Sequence, residues 1–385
     1  MTFRSFTMSA RWAASPLAAA LLALSVASPA RAAEPPAKAP SAQASRPYTM
    51  ADFERVPKID AHVHLHNPDP AFVQAARRLN FKLLTINVDY PDFPPLDDQQ
   101  RVALSLRKSV PGTIAWAVSF SSETSDQPGW LEATRARVDA GLAQGAVGVK
   151  VWKNIGMSLR NAQGELVMID DARFSPLFDD FAQRGIAMLG HQGEPHNCWL
   201  PLAQMTVNND REYFKAHPQY HMALHPEMPS WEAQMAARDR MLTAHPGLRF
   251  IGMHMASLER NVDELADFLD RFPQANVDLA ARIGQLQAQS QKDREKVRRF
   301  IVKYQDRLMY GTDLAQAPDQ SGAALLKEMV PFWRMHWRYF NTADRFKVAD
   351  LDAPVQGLAL PREVVDKLYH RNAERIYSGG WEAKP

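Results

Sequence analysis

The sequence predicts an α/β fold: a (β/α)8 TIM barrel with a long loop after strand 5 and C-terminal helices. Three observations carry that expectation. Short apolar runs rich in β-branched residues alternate with longer segments of helical periodicity. Eight such runs fall between residues 58 and 313. No glycine-rich phosphate turn follows the first run, which counts against a doubly wound open sheet, the competing arrangement.

The chain starts with Arg4 and Arg11 ahead of the apolar run "PLAAALLALSVA" (16–27), and Ala30 and Ala32 flank Arg31. A basic start, a short apolar stretch and small residues at a cleavage point describe a signal peptide over residues 1–32. The run falls short of the roughly 20 residues that a membrane span needs, so no membrane anchor is expected. No twin arginine and no lipid-accepting cysteine are present. Periplasmic or secreted localisation follows as an expectation. Loss of three arginines and no acid would take the formal charge from +2 to −1. Nothing in that balance calls for nucleic acid or an acidic membrane surface as partner. Cys198 is the sole cysteine, so no internal disulfide forms, and a small buried hydrophobe is its expected role.

Residues 33–56 are expected to be a flexible linker, rich in Pro, Ala and Ser at its start, with ordered structure beginning near "MADFERVPKID". Residues 57–380 form the barrel domain. Its expected strands are 58–65, 82–89, 113–120, 147–153, 186–193, 248–255, 275–280 and 307–313. Helices are expected over 69–80, 130–145, 175–185, 230–247, 261–273 and 292–306. Several of them open on Asp, Ser or Asn and close on Gly or Pro. The interval 194–230 is longer than usual βα connections and would cover the active face. A closing pair of helices is expected over 360–377.

The first run, "KIDAHVHLH" (58–66), holds three histidines and an aspartate. Side chains alternate across a strand, so His62 and His64 share a face, with Asp60 on the same side one step deeper. At the C-terminal end of a barrel strand two such imidazoles can grip one metal ion. His66 lies beyond the apolar run, where solvent or substrate contact is expected. A satisfied pair of core histidines is the plain alternative. The other strand ends weigh against it: the fourth run carries Lys150, the fifth His191, the sixth His254 and the eighth Asp313. Each is a metal ligand, a base or a lysine able to form a carbamate.

The series "DAHVHLH", "VKVWK", "LGHQGEP", "GMHM", "YGTD" and "NAERIY" resembles the amidohydrolase superfamily, in particular its amidohydrolase-related branch, over residues 57–377. The resemblance implies the same barrel and a divalent metal, one ion or two. His62, His64 and His191 match metal ligands, and Asp313 the aspartate that binds metal and moves protons. His254 matches a residue that is a second-metal ligand in some members and a substrate-polarising or proton-donating group in others. Lys150 matches the lysine that is carboxylated in members with two ions. Unmodified, it would bind a substrate anion. Zn2+ suits three imidazoles and a carboxylate best, with Mn2+ the alternative.

Other residues carry two readings each. Trp152 faces as Lys150 does, and walls a substrate pocket or packs in the barrel. Glu194 and His196 follow His191 and serve substrate or sit on a solvated loop. Arg282 meets an anionic substrate group or makes a surface salt bridge. His221 and His225 line the covering loop, His217 and His245 mark turns, and His336 and His370 are structural. The stripe 328–340 is an apolar face.

The function this implies is hydrolysis of an amide, lactone or ester bond of a small molecule, with Asp313 as general base. The alternative is non-oxidative decarboxylation in the same branch, against which export counts modestly. A binding protein without activity would be expected to have lost some of the ligands. A homo-oligomer is left open by the sequence.

Overall fold

Strand periodicity turns into one curled parallel sheet in the computed structural model, which describes residues 46–382. Its segments are β1 (Lys58–Leu65), β2 (Phe81–Ile86), β3 (Ile114–Ser119), β4 (Val149–Val151), β5 (Ala187–Gly190), β6 (Arg249–Gly252), β7 (Asn276–Asp278), β8 (Leu308–Met309) and β9 (Leu314–Gln316). Each pairs with its neighbour in chain order from β1 to β8, while β9 pairs with β1. β8 and β9 are two pieces of one expected strand, interrupted over Tyr310–Asp313. Ala61 N donates to Tyr310 O at 3.0 Å and Asp313 N to His62 O at 2.7 Å, so the interruption still seals the barrel.

Two apolar layers follow from strand alternation. Ile59, Leu84, Ala115, Leu189, Ile251 and Met309 fill the interior. Leu83, Trp116, Val149, Met188, Phe250 and Leu308 pack outward. Helices lie at each expected position, and two more complete the outer ring: Leu96–Ser109 and Gly322–Asn341. The expected 292–306 helix begins earlier and runs Ile283–Lys303. The closing pair at the C-terminus is one helical run, Arg362–Ile376, widened by a looser turn over Lys367–Arg371.

The expected linker is corrected at its end. Residues 48–56 dock on the barrel, because Phe53 and Val56 supply apolar anchors that the preceding Pro, Ala and Ser lack. Trp337 Nε1 donates to Thr49 O at 2.9 Å and Tyr48 Oη to Asp366 at 2.9 Å. Residues 1–32, the expected signal peptide, lie outside the described residues. No helix among the described residues is long and apolar enough to cross a membrane.

The segment after β5 covers the barrel mouth with short turns and the helix Asn208–Ala216. It carries its own small core of Cys198, Met205, Phe214 and Met222. Cys198 is a free, buried thiol, as expected.

Candidate metal centre

A bulge in β1 aims the two histidines. Asp60 pairs with Leu83 but Val63 pairs with Thr85, so three residues on β1 face two on β2. Strict alternation would have put Asp60, His62 and His64 on one face. The extra residue instead sends Asp60 outward while His62 and His64 turn in. Asp60, expected beneath the histidines, accepts from Thr312 N at 3.0 Å, Thr312 Oγ1 at 2.7 Å and Trp333 Nε1 at 2.9 Å. It therefore supports the site from behind, by fixing the residue before Asp313. Gly311 permits the close passage there, since a Cβ on it would lie 2.9 Å from His62 Cβ.

The inward groups converge. His62 Nδ1 donates to Asp278 Oδ2 at 2.8 Å, and its Nε2 lies 3.1 Å from Asp313 Oδ1 without hydrogen-bond alignment. His64 Nδ1 donates to Ile86 O at 2.7 Å, which leaves its Nε2 lone pair 3.1 Å from the same oxygen. His254 Nδ1 donates to Ala280 O at 3.0 Å, and the ring centroids of His191 and His254 are 4.1 Å apart. His191 Nε2 is buried without a partner. Asp313 stands in left-handed backbone, φ 69°, at the break in the eighth strand.

After β6 the chain makes a left-handed turn: His254, Met255, Ala256 and Ser257 have φ of 56°, 58°, 54° and 57°. Such residues cost about 1 kcal/mol or more each and persist only where their surroundings fix them. Here Asp278 Oδ1 accepts from His254 N at 2.6 Å and Trp231 Nε1 donates to Ser257 O at 3.1 Å. The buried Arg238 guanidinium donates to Ala256 O. This turn ends the sixth strand sooner than the apolar run suggests.

Electrostatics divide these groups. Burial lowers the pKa of His64 despite Asp313, and takes His191 and His254 well below the ordinary value. Burial also opposes charge on His62, but Asp278 and Asp313 outweigh it and raise its pKa. Asp313 is held well below the usual carboxylate range, the His254 and His62 charges overcoming burial. Burial brings Lys150 down to about 8, against the pull of Asp313 and Asp278.

These residues fit a divalent cation. Carbonyl and carboxylate acceptors engage Nδ1 of both His62 and His64, so two Nε2 atoms crowd one carboxylate oxygen with no proton required between them. A cation at that point satisfies all three: His64 and Asp313 already favour the neutral imidazole and ionised carboxylate such an ion needs, and His62, whose pKa is raised, would give up a proton to it. His62, His64 and Asp313 form one group close enough to share an ion, and His62, His254 and Asp278 another. A cavity of about 150 Å³ opens onto them, lined also by Lys150, Trp152 and His191.

The family comparison agrees with this geometry: the amidohydrolase family matches residues 61–379. The chain belongs to the amidohydrolase family. The amidohydrolase is thus an enzyme of the metal-dependent hydrolase type. Among solved structures, a putative 2-pyrone-4,6-dicarboxylic acid hydrolase from Pseudomonas putida is 14% identical, with 86% of this chain and 100% of that one covered and a TM-score of 0.47. A 2,6-dihydroxybenzoate decarboxylase is 12% identical, over 84% of this chain and 99% of that one, with a TM-score of 0.46. The Metarhizium anisopliae IDCase is 13% identical, over 85% and 98%, also at 0.46. A search of curated proteins finds no match.

Several sequence expectations change in the amidohydrolase. Arg282 lines neither cavity at the barrel mouth and is buried, its Nη1 donating to Ala281 O at 3.0 Å. Its charge acts on His191 and His254 at the site and on Asp210 of the covering helix. His66 is buried against Phe93, ring centroids 4.4 Å apart, rather than facing solvent. Trp152 lines the cavity, and Glu194 pairs with Lys153. His254, with Nδ1 engaged and its pKa depressed, offers a lone pair at Nε2, which suits a ligand better than a proton donor. Asp278 is the residue that sequence reasoning missed. Its signal was present, since it is the acidic end of the apolar run "ANVDLA" (275–280).

Proposed function

We propose that this amidohydrolase uses water to cleave an amide, lactone or ester bond of a small molecule, with Zn2+ as its ion and Mn2+ the alternative. The observation that carries the reading is the approach of two imidazole Nε2 atoms to one Asp313 oxygen, 3.1 Å each, at the floor of an open cavity. His62, His64, His191 and Asp313 would hold the ion, which supplies a water nucleophile near neutral pH and polarises a carbonyl. Asp313 takes the proton of the attacking water and delivers it to the leaving group. Asp278 fixes the His62 ring through Nδ1, a supporting bond of the kind that sets ligand orientation. The Lys150 ammonium, with no carboxylate in ion-pair contact among the described residues, offsets charge developing on the carbonyl oxygen.

That same unpaired Lys150 favours a second reading, decarboxylation, in which it holds a substrate carboxylate. The basic and apolar start of the sequence supports export of the mature enzyme, and its near-neutral charge supports a small-molecule substrate rather than nucleic acid. Metal analysis of purified protein, with lactones and amides tested beside hydroxybenzoates, separates the readings. We expect bound metal and hydrolysis that Asp313→Asn abolishes. Carbon dioxide release without hydrolysis would replace the first reading with the second, and a protein with no affinity for divalent metal would overturn both.

A further inference from the structure

Above the metal-facing cavity lies a second, larger chamber of about 310 Å³. The two share Tyr90, Trp152, Lys153 and Tyr213 as walls, so they adjoin. No predicted site residue except Trp152 and Glu194 belongs to the outer part. Its chemistry differs from that of the inner cavity. Tyr90 and Trp152 lie with ring centroids 5.1 Å apart, and Tyr213 and Tyr220 run nearly parallel, 8° between planes. Met157, Met222 and Met228 add thioether surface, which adapts to flat rings.

Two of the three basic groups lining this chamber face a carboxylate, and the third, Arg160, is exposed and bonds a backbone carbonyl. Lys153 pairs with Glu194, His225 Nδ1 lies 3.5 Å from Glu227, and Arg160 Nη1 donates to Gly164 O at 2.9 Å. An anionic ligand would therefore find only the exposed Arg160 unpaired among the described lining residues, and between the rings it would have to break the Lys153–Glu194 pair. A flat neutral ring would instead exchange water for aromatic and thioether contact.

We propose that the outer chamber is a subsite for an uncharged aromatic group that the substrate carries beyond the bond being broken. The assignment rests on the reading that the inner cavity is where that bond is cleaved. The substrate is then an elongated molecule, its reactive carbonyl inside and its ring outside, with Trp152 and Tyr213 deciding which rings are accepted.

Binding to full-length, metal-stripped protein tests the subsite apart from turnover. The probes are naphthalenemethanol and its anionic counterpart naphthoate, followed by calorimetric or NMR titration. The alcohol should bind with one-to-one stoichiometry, and Trp152→Ala should weaken it about tenfold, as loss of one good aromatic contact implies. Tyr213→Ala should act in the same direction, and its half-exposed ring can be removed without opening the core. No binding of the alcohol, or unchanged affinity in both variants, would overturn the subsite. Naphthoate binding as tightly as the alcohol, and weakened equally by Tyr213→Ala, would overturn the uncharged class. Absence of hydrolysis in metal-loaded protein would count against the proposed reaction and leave these binding results standing.

Discussion

The seam where the eighth strand meets β1 carries buried polar groups on both of its sides, built to opposite rules. On the outer side, toward the helix Gly322–Asn341, Asp60 takes hydrogen bonds on both oxygens and Tyr310 Oη meets His336 Nδ1 at 3.0 Å. Lys58 Nζ donates to the carbonyls of Phe53 and Val56. Trp333 stacks on Phe81 with centroids 4.0 Å apart. On the inner side the histidines are equally buried, with Asp313 partly open to the cavity, but lone pairs are left facing one another: His62 and His64 against Asp313, and His191 without a partner. Polar groups whose task is to fix the backbone find partners within the chain. Those awaiting a ligand are held in place by one atom and left open at another, which costs stability until the ligand arrives.

Exchange of one aspartate on each side gives the largest expected contrast. Asp313→Asn should lower turnover about a thousandfold or more, since it removes a base and a ligand together. Metal-free Asp313→Asn should nevertheless melt only slightly lower than wild type, because it gives up the carboxylate's attraction to His62 but lets the amide donate to an Nε2 that the carboxylate crowds. Asp60→Ala should do the reverse on stability. It orphans Thr312 and Trp333 donors and costs about 3 kcal/mol, read from denaturant midpoints. Equal melting losses in the two metal-free variants would erase the distinction between the sides.

The eight runs and most of the helical ring are legible in the sequence because each rests on local periodicity. The site is legible to the extent that a polar residue ends an apolar run: His62, His64, Lys150, His191, His254 and Asp313 all meet that test. Asp278 meets it too, as the acidic residue of the seventh run. The side that Asp60 takes is not legible, because it depends on a bulge set by pairing with β2. Nor are the walls supplied by Tyr90 and Tyr213, since the covering segment is shaped by contacts distant in sequence. Asp278 also sharpens the comparison, as it lies inside yet behaves like an outer residue, bonding His62 Nδ1 and His254 N. Asp278→Asn should therefore weaken metal affinity by about 10- to 100-fold, the usual effect of losing a ligand's supporting bond. Competition with a metal-binding dye measures it, and an unchanged affinity would mean that His62 needs no such support.

The smallest expected effect belongs to His336 and separates the sides by pH. Burial holds the folded pKa of His336 at about 3, whereas an unfolded chain protonates it near its ordinary 6.5. Between those values the unfolded state binds the extra proton, so stability falls as pH drops below about 6.5 and continues to fall toward about 3. The slope is about 1.4 kcal/mol per pH unit, hence a loss of about 1.4 kcal/mol at about pH 5.5. Inner histidines impose their own acid sensitivity, so the variant must cancel theirs. His336→Asn keeps an acceptor for Tyr310 and does not titrate, and the inner groups are common to both proteins. Subtracting its denaturant midpoints from those of wild type between about pH 7 and about pH 5 should isolate that slope. Parallel curves would mean that the outer side takes up a proton on His336 without cost, and that only the inner side is sensitive to acid.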